Sequence, residues 1–540
     1  MVIALCYDLY ISVKSMIKKY SNLSKQGHDL QGQFANALKQ VDAVELYNEN
    51  AIKVHVAGVG GTISTAYEQL RNAAEYTEEH LLLQRTIRRF YKRNLSFFDK
   101  KASYENLGEE LIIELTQSGY LQNNSVPKSF INEINNLVET YYGLYWQMRP
   151  HRVPIDKASG WVLDMLSVSS EIILNKSEAV KTEVFAEFAH VHYRETFKNK
   201  FTGEIENYDT ALVAAVYRAL LKSDKATVRT ILMQQNTKGF SSIKEFINFQ
   251  ILIDKVYEAK ATERLVRLVS KNGAPLRILK RLMDESPEVI SRLGERDVFL
   301  NSYQAQAEKE YQVISKKINR GILKSVAFLF ITKVLIGLAV EIPYDYYIVG
   351  AIVWFPLAVN LLFPPLYMAS LKFSMKLPSG PNTSELKKYV DDLFFETDGP
   401  RYNLVARTKS QDSTLLNFMY TAMFLFVFTF VTLRLATWGF SWVHIVIFFL
   451  FLSTASFLGF RLSRLISELE MVTTNQGSFA ILRDFLYTPF ILVGRWMSDK
   501  YSRVNIIALI LDMAIELPLK TFLRLLRQWT QFLNDKKDNL

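Results

Sequence analysis

Four strongly apolar runs in two close pairs organise the chain: Ile322–Ile342 with Tyr346–Leu371, and Leu415–Thr437 with Ser441–Phe460. Each is about 20 residues or slightly longer, enough for a helix to cross a hydrocarbon core of roughly 30 Å. A long polar connection, residues 372–414, separates the pairs. The pattern ahead of them is different. Apolar residues recur at helical spacing, as at Leu9, Val13, Met16 and Ile17, with Lys14, Lys18 and Lys19 on the other side. Breaks at Val126-Pro127, Arg149–Pro154, Gly203, Asn272–Pro275 and Ser286-Pro287 divide residues 104–310 into short helices with little strand signal. Behind the runs, Phe479–Met497 and Val504–Trp529 are rich in apolar residues but carry charges, and Pro489 and Pro518 interrupt them. The pattern predicts an all-α protein. It has a large helical cytoplasmic region over residues 1–310, a transmembrane bundle of about four spans over 311–464, and amphipathic interfacial helices over 465–540.

The first pair is the irregular one. Lys333 stands about half way along the first run, where a charge costs on the order of 3 kcal/mol on insertion scales. It must snorkel, face the bundle interior, or belong to a less deeply inserted helix. Glu341-Ile-Pro343-Tyr-Asp345 reads as the short turn of this hairpin. Pro356, Pro364 and Pro365 predict that the second run kinks or ends near Phe363. The second pair turns at Trp438-Gly439-Phe-Ser-Trp442, with the aromatic residues expected at a bilayer interface.

Charge adds orientation. The 540 residues carry a formal net charge of +10. Basic residues cluster before the first run (Arg320, Lys324), in the connection (Lys372, Lys376, Lys387, Lys388, Arg401, Arg407, Lys409) and after the fourth run (Arg461, Arg464), while the hairpin tips have few. The positive-inside rule places both termini and the connection in the cytoplasm and the chain in the cell membrane. The partners expected from this balance are the bilayer, anionic lipid at the basic interfacial residues, and a protein partner for the cytoplasmic helices; nucleic acid is not expected. The single cysteine, Cys6, excludes an intrachain disulfide and a thiolate metal cluster. Met1–Met16 lacks a leading basic segment and is interrupted by Asp8 and Lys14, so it reads as an amphipathic helix rather than a signal peptide.

Candidate chemistry is sparse. Gly58, Gly60 and Gly61 follow a strand-like Ile52–Val56 and precede a helix from about Ile63, as a phosphate-binding turn would, but no Gly-Lys-Ser/Thr and no series of strands accompanies them. A bend that only glycine allows is the better reading. Glu183, Glu187 and His190 fall on one helix face, and Glu187-x-x-His190 has the spacing of di-iron carboxylate bundles. Such sites need a second motif, which the chain lacks, so no metal, cofactor or catalytic residue is expected. The intramembrane candidates are Lys333, Arg434, Asp512 and Glu516; the last two share a stripe with Lys520 that continues into Arg524 and Arg527, as on an interfacial helix.

The stretch Tyr67–Phe90 places acids (Glu75, Glu78, Glu79) ahead of bases (Arg85, Arg88, Arg89), which suits one salt-bridged, solvated helix; Arg85–Arg93 is a candidate surface for an acidic partner. This stretch resembles one in multi-helix membrane proteins of small-genome bacteria. So does the tail around Arg483-Asp-Phe-Leu-Tyr-Thr-Pro-Phe490 and Gly494-Arg-Trp-Met-Ser-Asp-Lys500. The resemblance implies a bacterial membrane protein and carries over neither an activity nor a site residue. The sequence therefore leads to a non-enzymatic membrane protein that holds a helical interaction domain at the bilayer. A transporter or channel is the alternative, and a metal-dependent enzyme is the weakest reading.

Overall fold

The computed structural model describes residues 23–56, 61–74, 79–98, 106–201, 205, 207–236, 239–396, 414–471 and 478–503, with isolated positions between 518 and 536. Outside these residues lie Met1–Met16 with Cys6, the glycine turn at Gly58 and Gly60, Glu75 and Glu78, Arg401, Arg407 and Lys409 of the connection, and Asp512, Glu516 and most of Val504–Trp529. The described chain is helical, and its β-pairing is confined to isolated bridge residues. It divides into two compact units: a helical unit, built from 23–270 and 283–293, and a membrane unit, built from 271–282 and 294–503.

In the helical unit, helices α1 (Lys25–Asn50) to α11 (Lys260–Lys271) include boundaries at the breaks read at Val126-Pro127 and Arg149–Pro154, while the break at Gly203 lies outside the described residues. Ser24, Asp224 and Ser242 cap three of them, each side-chain oxygen accepting from a backbone N–H three residues on. The main core gathers α3 (Leu82–Asn94), α4 (Leu107–Gln117), α5 (Ser129–Met148) and α6 (Ile155–Leu174). Ile87, Phe90, Leu111, Ile134, Tyr145 and Val162 are buried in it. Helices α4 and α5 cross closely at Gly108, where a Cβ would meet the Ile131 carbonyl oxygen at 2.5 Å; only glycine fits there.

Two expectations change here. The stretch Tyr67–Phe90 belongs to two helices, α2 (Gly61–Ala74) and α3, and its arginines pair across helices. Arg88 meets Asp164, Arg89 meets Glu68 at 2.8 Å and Arg93 meets Glu114 at 2.6 Å. These half-buried bases thus pair between helices rather than along one helix face, because α3 packs on α4 and α6. The strand-like segment at Lys53 pairs with Pro127 in an isolated antiparallel bridge. Val54 N donates to the Val126 carbonyl and Lys128 N to that of Ile52, so a connecting loop, not a sheet, satisfies this backbone.

In the membrane unit, α14 runs unbroken from Arg296 to Val349. It is followed by α15 (Trp354–Ser374), α16 (Gly380–Phe394), α17 (Thr414–Thr437), α18 (Trp442–Ser467) and α19 (Ser478–Arg503). Four of these, α14, α15, α17 and α18, are long and apolar enough to cross a membrane. Exposed apolar side chains such as Phe328, Ile331, Leu362, Phe426 and Leu433 cover their outer faces. A tyrosine–tryptophan group (Tyr346, Tyr347, Trp354, Trp438, Trp442) lies exposed at the hairpin ends, as at an aromatic belt.

The first hairpin differs from the sequence reading. Glu341–Asp345 is not its turn. Two π-helical turns, Gly337–Glu341 and Asp345–Val349, flank Ile342–Tyr344 and carry the helix past Pro343. The chain reverses at Gly350, whose φ of +85° suits glycine. Wider turns leave more room for the proline ring and for the N–H it lacks, so a residue that reads as a breaker sits inside the helix. Pro364 and Pro365 likewise lie within α15, which continues to Ser374. Helix α19 packs along α18, with Phe490 between Phe428 and Phe449 and Gly494 against the Ser453 carbonyl.

Candidate functional site

Five buried polar residues of the long apolar helices gather in one place: Lys333, Glu341, Asp345, Asn360 and His444. Lys333 and Glu341 come from α14, eight residues apart and both about 1% exposed. Lys333 Nζ lies 2.6 Å from Glu341 Oε1 and 5.1 Å from the centre of the Phe451 ring. Asn360 of α15 is fully buried; its Nδ2 donates to Glu341 Oε1 at 2.8 Å and to the His444 carbonyl at 3.1 Å. His444, in the first turn of α18, and Asp345 of α14 are both fully buried, with Nε2 and Oδ1 3.5 Å apart. Asp345 Oδ2 accepts from the Val353 N–H at 3.0 Å, just ahead of the start of α15. On the other side of the imidazole, Ser441 Oγ lies 2.9 Å from Nδ1.

Each placement has a local cause. Ser441 is the N-cap of α18, and its hydroxyl also accepts from the His444 backbone N–H, which fixes the ring beside it. The π-helical turns end on Glu341 and begin on Asp345. A π-turn shifts the helix face by about one residue, and such turns recur at functional sites. Gly337 leaves space beside Glu341 Oε2, which lies 3.7 Å from where a Cβ would stand. Pro364 has no N–H to offer the Asn360 carbonyl, leaving a further acceptor near the cluster.

The order Ser441–His444–Asp345 resembles a hydrolase triad only on paper. The serine hydroxyl is engaged as a helix cap and is half-buried, while Asp345 and His444 are fully buried. What the arrangement can do is hold charge. Two carboxyl groups, an amine and an imidazole are buried close together, where each interacts strongly with the others. Asp345 Oδ1, His444 Nε2, Asn360 Oδ1 and Ser453 Oγ are buried with no hydrogen-bond partner.

Of the residues singled out from the sequence, Lys333 belongs to this site and faces the bundle interior. Arg434 does not: it is exposed near the end of α17, its guanidinium 5.4 Å from the Phe430 ring centre. Asp512 and Glu516 lie outside the described residues. In α7 (Lys176–Phe201), Glu183 and Glu187 are exposed while His190 is half-buried. Burial pushes the His190 imidazole down, against the pull of Asp209. Among the described residues no group of three or more His, Cys, Asp or Glu side chains is arranged to hold a metal ion.

Glu341, Asp345, Asn360 and His444 were not singled out. Pro343 made the two acids look like turn residues. The available signal was their spacing of four, on the same helix as Lys333, together with a histidine inside an apolar run. Comparison with protein-family models, curated proteins and solved structures gives no match.

Proposed function

We propose that this chain is an ion-coupled membrane transport protein whose working groups are Lys333, Glu341, Asn360, Asp345 and His444. The observation that supports this reading is the fully buried Lys333–Glu341 pair, linked through Asn360 to His444 and Asp345. Burying two ions costs several kcal/mol each before their attraction offsets it, and apolar residues of similar volume often serve a bundle as well or better. An anchor needs no such cluster. Ionisable groups inside spanning helices, facing other helices, are the usual furniture of ion pathways and proton relays. In this reading the basic ends, with Lys316, Lys317, Arg320, Arg461 and Arg464, face the cytoplasm, and the aromatic hairpin ends face outward.

A second reading keeps the membrane unit as an anchor for a helical interaction domain. It is favoured by the helical unit having its own core and its own buried ion network around Arg229. The two readings are compatible, and flux separates them. Purified full-length protein in vesicles, under an imposed proton or sodium gradient, is expected to pass the ion into a dye-reported interior. Lys333→Met and Glu341→Gln should reduce that flux to the level of protein-free vesicles, while the outward-facing Arg434→Gln should not. Unchanged flux in Lys333→Met would remove the transport reading and leave the anchor.

A further inference from the structure

We infer that the Asp345–His444 pair is a proton-binding site and that the ion coupled in this bundle is the proton; this rests on the transport reading above. The argument is charge balance. Lys333 and Glu341 neutralise each other at 2.6 Å. Asp345 and a neutral His444 would leave one uncompensated negative charge in a fully buried site. Among the described residues no Lys or Arg lies within ion-pair distance of Asp345. The ionisable groups of the site are Lys333, Glu341 and Asp345 from α14 and His444 from α18; α15 contributes the uncharged Asn360, and Tyr344 and Tyr367 pack on the neighbouring apolar cluster. Arg434 of α17 and Arg495 of α19 are exposed. One additional proton makes the group of four electroneutral, which a low-dielectric interior strongly favours.

The geometry provides the seat. His444 Nε2 and Asp345 Oδ1 face each other across 3.5 Å, each without another hydrogen-bond partner. With one proton on the imidazole, Ser441 can donate to Nδ1 while Nε2–H points at the carboxylate. With the second proton added, both ring nitrogens donate, to Ser441 Oγ and Asp345 Oδ1, and the pair is an imidazolium–carboxylate. Loss of that proton restores the net negative charge beside Glu341. Asn360, which donates both to Glu341 and to the His444 carbonyl, connects the two pairs, so the proton's arrival is felt at Lys333. Binding and release involve no other covalent change.

The full-length protein in lipid nanodiscs provides the test, by infrared difference spectroscopy across pH steps together with dye-reported proton release. Wild type should release one proton per chain more than Asp345→Asn, and the imidazole bands should disappear in His444→Gln. Arg434→Gln should match wild type. Ser441→Ala, which spares the facing pair, should shift the transition without removing it. If the variants misfold, nitrogen-15 histidine spectra of the unaltered protein decide. A solvent-protected imidazole, assigned to His444 by its contact with the Phe440 ring, is expected to carry protons on both nitrogens at the acid end of the titration and on one at the alkaline end. Equal proton release in wild type, Asp345→Asn and His444→Gln, or a His444 imidazole that never changes state, would overturn the proposal. Proton binding without flux would keep this site and remove the transport reading. Flux that persists with no titration here would do the reverse.

Discussion

Arg229 shows how much one side chain can hold. Only 2% exposed, it donates to Asp164 Oδ2 at 3.0 Å, to Gln250 Oε1 at 2.5 Å and to Asp254 Oδ1 at 2.5 Å, joining helices α6, α9 (Lys225–Gln235) and α10 (Ile243–Glu258). Burial raises the Asp164 carboxyl against the pull of Arg88 and Arg229. Burial also acts on Asp254, but Lys225, Arg229 and Trp161 together outweigh it and hold that carboxyl low. Arg229→Met should cost about 3 kcal/mol, the lower end for breaking a buried pair, because Arg88 and Lys225 remain to hold the two acids. Chemical denaturation followed by helical circular dichroism would measure it. Half-buried Glu171 tests pH. Burial, and then Asp224, push its carboxyl up from 4.5 to about 7. A raised folded value means that its contribution is fully present below about pH 4.5 and is lost as pH rises through about 7. Glu171→Gln should therefore match wild type in acid and be more stable by on the order of 1–2 kcal/mol at pH 8. A constant difference at all pH values would contradict this.

At the scale of elements, period and length made the helices legible, and local chemistry misplaced some of their ends. The four spans stand out because long apolar runs admit few other structures. The breaks at Val126-Pro127 and Ser286-Pro287 fall close to real helix starts because Pro and Ser act through the backbone beside them. Pro343 misled because its meaning depends on helix pitch, which π-turns alter and which residue type does not announce. The site was half legible for the same reason. Lys333 is conspicuous in any apolar run, whereas Glu341 and Asp345 become part of the same long helix only once the turn moves to Gly350. Cross-helix pairing of Arg88, Arg89 and Arg93 was invisible, since it depends on which helices meet. The packing of α19 gives a further test. Gly494 lies against the Ser453 carbonyl and the Phe457 side chain, so Gly494→Val must push α19 from α18. A loss of about 2 kcal/mol is expected, read as a lowered melting temperature in detergent, while Gly32→Ala, at an open site inside α1, should stabilise by up to about 1 kcal/mol.

For the whole molecule, orientation is the first quantity to fix. Cys6 is the only cysteine, so Cys6→Ser gives a clean background for labelling. A cysteine placed at Ala351 should react with an impermeant reagent from outside the cell, and one at Lys388 only after the membrane is opened; the reverse pattern would invert the topology. The unbroken α14 also carries a consequence for the bilayer itself. Its apolar stretch from Ile322 to Val349 would span roughly 40 Å at 1.5 Å per residue, against about 30 Å for α15 and for an average hydrocarbon core. The two arms of this hairpin are thus mismatched in length, and α14 must tilt, shorten through its π-turns, or thicken the lipid around it. Because Glu341 and Asp345 lie on the surplus part of that arm, bilayer thickness sets how deep these acids sit. Vesicles of short-chain lipid should bring them nearer to water and those of long-chain lipid should sink them, so the acyl chain becomes a control on the buried charges without any ligand.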